Sequence, residues 1–535
     1  MAAAETTTSR TSGKAGVAST QRRRSLGGLI AISIFWFAIN FHWAAILLLL
    51  VPSQVTALLF HAAPGATFAD RKAWVDAHQA LTLALVEAPG LVVALIANPL
   101  FGLLSDRTPG RFGRRRPYIV GGTALNVVGL LVMALAPGLF IQQGSGNALA
   151  PSVLVLMGGL MLTQLANNAA AAPFHALLPD MVTEGQRGRA SGIMGLALFL
   201  GQIGGAIAPT LFGFNSAALL GGTQDAAVFD RGLVLAYGTV AVVIAVMALL
   251  TAITVREDPW QPGADSAAHR AQDRQTWRTL LVTVLVVIVV VGATLAVFNA
   301  GLGFSLDPNT LNGLQLAAVI IAGIGAARAF GFSPRRAPDF SWVVLTRMLV
   351  MMGVYMVQSF LEFYMRDVAK APSPEAATTT FVIILTVTAT ISTIFAGWGS
   401  DRIGRKRMVY LSGAFMALVG AAFVLAPYLV PGSILTLAFG AAAVFGLGYG
   451  SYVSVDWALV ADVLPSESTF ARDMGVWNIG LTLPQVFAVV FGGWLLALGV
   501  VIGHSDLGYT FLFVWFVIFC VLGTVTVRNI KGVKR

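Results

Sequence analysis

Long apolar runs separated by short polar connections dominate this 535-residue chain. Each run is close to the roughly 20 residues that carry a helix across about 30 Å of hydrocarbon. Fourteen are read, the first from Leu29 to Leu50 and the last from Tyr509 to Val527. A membrane β-barrel would show segments of about ten residues with alternating polarity instead. Lipid offers the backbone no hydrogen-bond partners, so continuous apolar runs leave helices as the spanning element. The pattern predicts an all-α polytopic membrane protein with fourteen transmembrane helices.

Composition agrees and adds detail. Apolar side chains make up 57% of the chain and charged ones 11%, too few charges for a soluble domain. The 57 glycines fall largely within apolar runs, where small residues let helices approach closely in lipid. A single cysteine, Cys520, excludes a disulfide framework, and six scattered histidines offer no metal-ligand spacing. Neither a P-loop, a serine-nucleophile motif nor an HExxH helix is present, so no enzyme activity and no cofactor or metal is expected.

The formal charge of +10 would suggest a nucleic-acid partner if the basic residues shared one soluble face. They instead concentrate in alternate connections, and only Arg71, Lys72, Arg231, Arg366 and Lys370 fall in the opposite set. The positive-inside rule then places both termini in the cytoplasm of a multi-pass protein of the cell (plasma or inner) membrane, with membrane lipids and not nucleic acid as the charged surroundings. Residues 1–25 read as a disordered tail ending in Arg22, Arg23 and Arg24, and the run that follows reads as an uncleaved signal anchor.

The chain also repeats itself. GLLSDR (Gly102–Arg107) followed by GRRRP (Gly113–Pro117) is echoed by GSDRIGRKR (Gly399–Arg407), with Pro109 to Phe112 as an insertion in the first copy. FHALLPDMV (Phe174–Val182) is echoed by DWALVADVL (Asp456–Leu464) at a similar offset. Parallel duplication of a six-helix unit accounts for both pairs. The two surplus runs, 280–297 and 311–330, form an inserted hairpin between Pro-containing linkers. The division expected is a tail (1–25), an N-terminal six-helix bundle (26–256), a linker with the hairpin (257–340), a C-terminal six-helix bundle (341–528) and a cytoplasmic tail (529–535).

These motifs resemble the major facilitator superfamily, whose loop after the second helix carries G-x-x-x-D-R-x-G-R-[RK], often repeated in the second half. The expanded first copy, SDRTPGRFGRRRP (Ser105–Pro117), is most similar to the sucrose and glycoside:proton symporter branch and its bacterial relatives. The hairpin departs from the twelve-helix form of that branch; fourteen-helix forms occur among peptide transporters and drug exporters of the superfamily. The resemblance implies a fold of two six-helix bundles and a cytoplasmic gating motif built from Gly102, Asp106, Arg107, Gly113, Arg114, Arg115, Arg116, Asp401, Arg402, Gly404, Arg405 and Lys406. Physically, the two aspartates can accept hydrogen bonds from helix N-termini, and the arginines can pair with acids or lipid phosphates, or simply set topology.

Ionisable residues within spans are costly to insert and are candidates for function. Asp456, about 13 Å along the helix from Pro465, is placed near the bilayer midplane and is the first candidate to carry a coupling proton, with a structural acid paired to Arg347 or to a helix terminus as the alternative. Glu87, about 22 Å from Gly102 and so in the outer half of its span, is the second candidate. Glu362 and Arg347 complete the set, with snorkelling to an interface as the alternative for both. Asn40, His42, Gln164, Asn167, Asn168, His175, Tyr355, Gln358, Tyr452 and Trp457, with Tyr449, Trp36 and Trp43, fall on the spans that line the central cavity in the superfamily. Amides and phenols suit hydroxyl-bearing ligands and aromatic faces suit sugar rings, whereas taken singly each residue more often serves as a bond between helices, so only the cluster is informative.

The expected function is secondary active transport by alternating access, with proton-coupled uptake of a sugar or glycoside leading. The coupling ion is a proton or sodium and the partner a small-molecule substrate. Export of amphipathic compounds, or a non-transporting membrane receptor or assembly factor, are the alternatives.

Overall fold

The computed structural model describes residues 24–257 and 333–531, apart from 66, 109–110, 139–142, 148–150, 183, 256, 336 and 464–469, together with isolated positions between 274 and 328. Among these residues, twelve helices are long and apolar enough to cross a membrane. The polar tail before residue 24 and all but isolated positions of the two hairpin runs lie outside the described residues, so fourteen spans were expected and twelve are described. Isolated positions within those runs, among them Leu281, Leu285, Gly313, Leu316 and Gly323, are helical.

The first span is helix α1 (Leu26–Ala45), continued through a π-helical turn at Ile46–Leu50 into α2 (Val51–Ala62). It is followed by α3 (Phe68–Arg107), α4 (Arg116–Leu135), α5 (Pro151–Met181), α6 (Glu184–Thr210), the short α7 (Ser216–Leu220) and α8 (Ala226–Thr254). The second bundle holds α9 (Pro338–Asp367), α10 (Pro374–Ile403), α11 (Arg405–Leu429), α12 (Ile434–Val463), α13 (Phe470–Val501) and α14 (Ser505–Thr526). Most of these helices outrun the apolar segments that announce them, because helix geometry persists into the interface where polar residues cap it. The Thr67 hydroxyl accepts from the Asp70 N–H at 3.1 Å to start α3, and the Asp225 carboxylate accepts from Ala227 N–H at 2.8 Å to start α8.

Glycine explains the tightest packing. A Cβ on Gly201 or Gly205 of α6 would collide with the backbone of Phe37 or Phe41 in α1, and one on Gly446 or Gly450 of α12 with the backbone of Leu385 or Ala389 in α10. Such close approach is how helices associate where lipid removes the hydrophobic drive. The bundles meet along two seams, α3 on α13 and α6 on α10. The repeat relates them, since α3 and α10 are the second spans of their halves and α6 and α13 the fifth. A cluster at the first seam joins Ala88, Leu91, Val92 and Ile96 to Ile479, Val486 and Val490, with Leu316 packed against it.

Candidate functional site

In the second bundle, three helices bring the intramembrane charges together. Arg347 of α9 forms a buried ion pair with Asp456 of α12. Its guanidinium lies 3.6 Å from the ring centroid of Trp477 on α13, and Gly480 one turn further on leaves room for its aliphatic stem. The Tyr452 hydroxyl donates to the second Asp456 oxygen at 3.4 Å. Arg347 Nε is buried without a hydrogen-bond partner. A buried pair gains little net stability over apolar packing, but breaking one side strands the other charge at a cost of about 3–5 kcal/mol. Tyr355 and Tyr449 are half-buried, Gln358 is exposed within its helix, and the Trp457 side chain lies outside the described residues.

The first bundle presents a polar counterpart. Asp76, Glu87 and Asn98 recur every eleven residues, three helical turns, and so share one face of α3. Asn98 donates to the Asn168 side chain at 3.0 Å, and Asn168 donates to the Gln164 carbonyl at 2.8 Å. Between Asp76 and Asn98, Glu87 is buried and its Oε1 has no hydrogen-bond partner. Trp43 donates to Asn167 at 3.3 Å, tying α1 to α5, while Asn40 bonds back to the Trp36 carbonyl at 2.8 Å in its own helix. His175 packs edge-on to Trp36 with ring centroids 4.7 Å apart, and buried His42 packs edge-on to Trp43 at 4.5 Å.

The repeated motif lies on one face of the molecule. Gly113 and Gly404 both adopt positive φ, +85° and +98°, just before the arginines that open α4 and α11. Only glycine turns the chain there without strain, so the repeat is conformational as well as sequential. Arg115 donates through its backbone N–H to Glu257 at 2.9 Å and through its side chain to Ser105 at 2.6 Å. Arg116 donates to the Ala252 carbonyl, so the end of α8 clamps the first loop. Gly102, Asp106 and Arg107 belong to the end of α3, and Asp401 and Arg402 to the end of α10. The side chains of Asp106, Arg107 and Asp401 lie outside the described residues. Arg114, Arg405 and Lys406 are half-buried and Arg402 is exposed.

On the opposite, distal face the bundles are bonded together by residues that, apart from Glu362, sequence reading passed over. Arg366, counted there among connection charges, is buried in the last turn of α9. It donates to Gln79 at 2.5 Å and Thr56 at 3.4 Å, pairs with Asp367 at 2.8 Å, and lies 3.7 Å from Asp76. Ser53 donates to Glu362 at 3.0 Å, the Ser216 N–H to Glu375 at 2.7 Å, and Thr379 to the Ala206 carbonyl at 2.9 Å. A pocket of about 80 Å³ lined by Lys72, Asp76, Gln79, Asp367, Lys370 and Tyr509, among others, opens here. Seven hydrogen bonds thus join the bundles in this distal half. The one signal available in sequence was the spacing of Asp76 and Gln79 on the face of α3 leading to Glu87.

A two-bundle helical fold with seams along its axis and buried charges near its middle defines a polytopic membrane protein of the transporter type. The Major Facilitator Superfamily model matches residues 76–345 and that of the MFS/sugar transport proteins residues 333–510; the chain belongs to the Major Facilitator Superfamily. It is 26% identical over 122 residues to the sucrose transport protein SUC3 of Arabidopsis thaliana, covering 21% of this chain and 20% of that one. It is 26% identical over 135 residues to the general alpha-glucoside permease of Schizosaccharomyces pombe, covering 25% and 23%. To the human proton-associated sugar transporter A it is 29% identical over 184 residues, covering 33% and 23%. Such alignments span well under half the length of these relatives. Among solved structures, a POT family transporter in complex with 5-aminolevulinic acid superposes with a TM-score of 0.66 at 13% identity, covering 96% of this chain and 99% of that one. A D-xylose-proton symporter gives 0.61 at 16%, covering 95% and 99%.

Proposed function

We propose that this protein is a secondary transporter that takes up a sugar or glycoside with a proton by alternating access. The buried Arg347–Asp456 pair carries the reading. A carboxylate held in low dielectric by one guanidinium is a site where adding a proton changes the local structure, because a neutral Asp456 no longer holds Arg347. Released, Arg347 presents donors beside Tyr452 and the face of Trp477, groups suited to sugar hydroxyls and rings. The relatives named as sucrose, glucoside and proton-associated sugar transporters support that substrate class.

In this reading the first bundle (26–256) and the second (341–528) rock about a central site lined by Asn168, Gln164, His175, Tyr355 and Gln358. Both termini and the motif face are cytoplasmic, so the distal face is external and the arrangement described above is closed to the outside. The linker with the hairpin (257–340) joins the bundles, and anionic lipids meet the arginines of the motif face.

The test is uptake by proteoliposomes across a panel of mono- and disaccharides under an imposed proton gradient. Proton-linked accumulation of one sugar is expected, and Asp456→Asn is expected to bind that sugar but fail to accumulate it. Normal pH-driven accumulation by Asp456→Asn removes Asp456 as the coupling group, and movement of no sugar turns the assignment to export of amphipathic compounds.

A further inference from the structure

The distal seam holds more negative charge than it neutralises. Glu362, near the end of α9, and Glu375, in the first turn of α10, are 2% and 1% exposed. They stand at the distal ends of successive helices, on either side of the short connection from α9 to α10. The surrounding charged and titratable groups are Arg366 and Asp367 on α9, Lys370 just after it, Asp76 and Lys72 on α3, and Asp506 and Tyr509 on α14. Arg366 is engaged by Asp367, Asp76 and Gln79; Lys72 pairs with Asp76 at 2.5 Å; the Tyr509 hydroxyl donates to Asp367 at 2.6 Å. Five carboxyl groups therefore share one buried guanidinium and two ammonium groups at the rim.

The two glutamates are not equivalent. Glu375 accepts the Ser216 N–H at 2.7 Å and sits at a helix N-terminus, where the macrodipole favours a negative charge. Glu362 has a single neutral donor, the Ser53 hydroxyl at 3.0 Å, and its Oε2 is buried without a partner. An ionised Glu362 would be a desolvated charge facing another, an arrangement that proteins avoid by neutralising one member.

We propose that Glu362 is a second proton-binding site, occupied while the distal face is closed and emptied when it opens, with ionised Glu375 enforcing the exchange. Both glutamates bond across the bundle boundary, Glu362 to α2 and Glu375 to α7. Opening the face separates them from those partners, admits water and lets Glu362 ionise. Because the closed form binds the proton, low pH favours closure and rising pH favours opening. The inference deepens the alternating-access reading and rests on it, and it does not involve Asp456.

The experiment places spin labels at Thr223→Cys and Ile502→Cys, exposed positions on the distal face of the first and second bundle, in a Cys520→Ala background in nanodiscs. Pulsed dipolar distance distributions are recorded across pH. The parent is expected to gain a longer-distance population as pH rises. Glu362→Gln is expected to stay closed throughout, and Glu375→Gln to shift the transition to lower pH by about one unit, because the like charge is gone. A Glu362→Gln protein that titrates like the parent overturns the proton site while leaving alternating access intact. Labels that hold one distance at every pH and with every sugar overturn both. Should Glu362→Gln not yield monodisperse protein, infrared difference spectra of the parent and Glu362→Asp decide: a protonated carboxyl band at neutral pH that shifts in the aspartate variant supports the site, and a parent without such a band overturns it.

Discussion

At the scale of single residues, the chemistry resides in charges that lipid makes expensive. Asp456 and Arg347 are visible in sequence because each interrupts an apolar run, and their pairing is one reading the sequence offers for Asp456, but it does not decide for it, since they stand on different helices and Arg347 lies near a helix end where snorkelling is the ordinary explanation. Their pairing makes a stability prediction. Asp456→Asn leaves a buried guanidinium with only Trp477 and Tyr452 for company and should cost about 3–5 kcal/mol, read as a lower thermal-unfolding midpoint in detergent. Adding Arg347→Gln removes the stranded charge and should recover most of that loss; a double variant no more stable than Asp456→Asn would show that the pair contributes through something other than charge. Arg366 shows the opposite limit of sequence reading. It sits one residue from Asp367 at the end of an apolar run, the usual position of a topology-setting charge, and only the fold brings Asp76, Gln79 and Thr56 around it.

At the scale of helices, the apolar runs locate the twelve described spans because each must cross hydrocarbon, while helix ends are set by caps and interfaces that hydropathy does not register. Seams are less legible. Glycine marks close contact in general, but which glycine meets which helix depends on rotation about the axis. Helix α12 offers an internal comparison. A Cβ on Gly450 would run into the Ala389 backbone of α10, which cannot move aside, whereas one on Gly440 meets nothing within 4 Å. Gly450→Ala should therefore destabilise by about 1–3 kcal/mol through overpacking, and Gly440→Ala should be neutral or slightly stabilising through helix propensity. Thermal unfolding of the two variants side by side checks this, and equal midpoints would mean that α10 and α12 are not packed as described.

At the scale of the molecule, the two bundles are bonded together on the distal face by Ser53–Glu362, Gln79–Arg366, Ser216–Glu375 and Thr379–Ala206. The internal repeat foretold two similar halves, but not which end of the seam would be closed, because one sequence serves every state of a moving protein and the state is decided by differences of a few kcal/mol. The seam of α3 and α13 turns this distal closure into a test. A Cβ built at Gly493 lies 3.3 Å from the Cβ of Ala84, close to the separation that a disulfide spans. With Cys520 replaced by alanine, Ala84→Cys with Gly493→Cys should cross-link under mild oxidation and hold the distal face shut. Counterflow of whichever substrate the proteoliposome panel identifies should then stop on oxidation and return on reduction, with neither single cysteine responding. Transport that continues in the fully cross-linked protein would mean that the substrate's path does not require these two helices to part, and the rocking of one bundle against the other would have to be abandoned in favour of a motion within a single bundle.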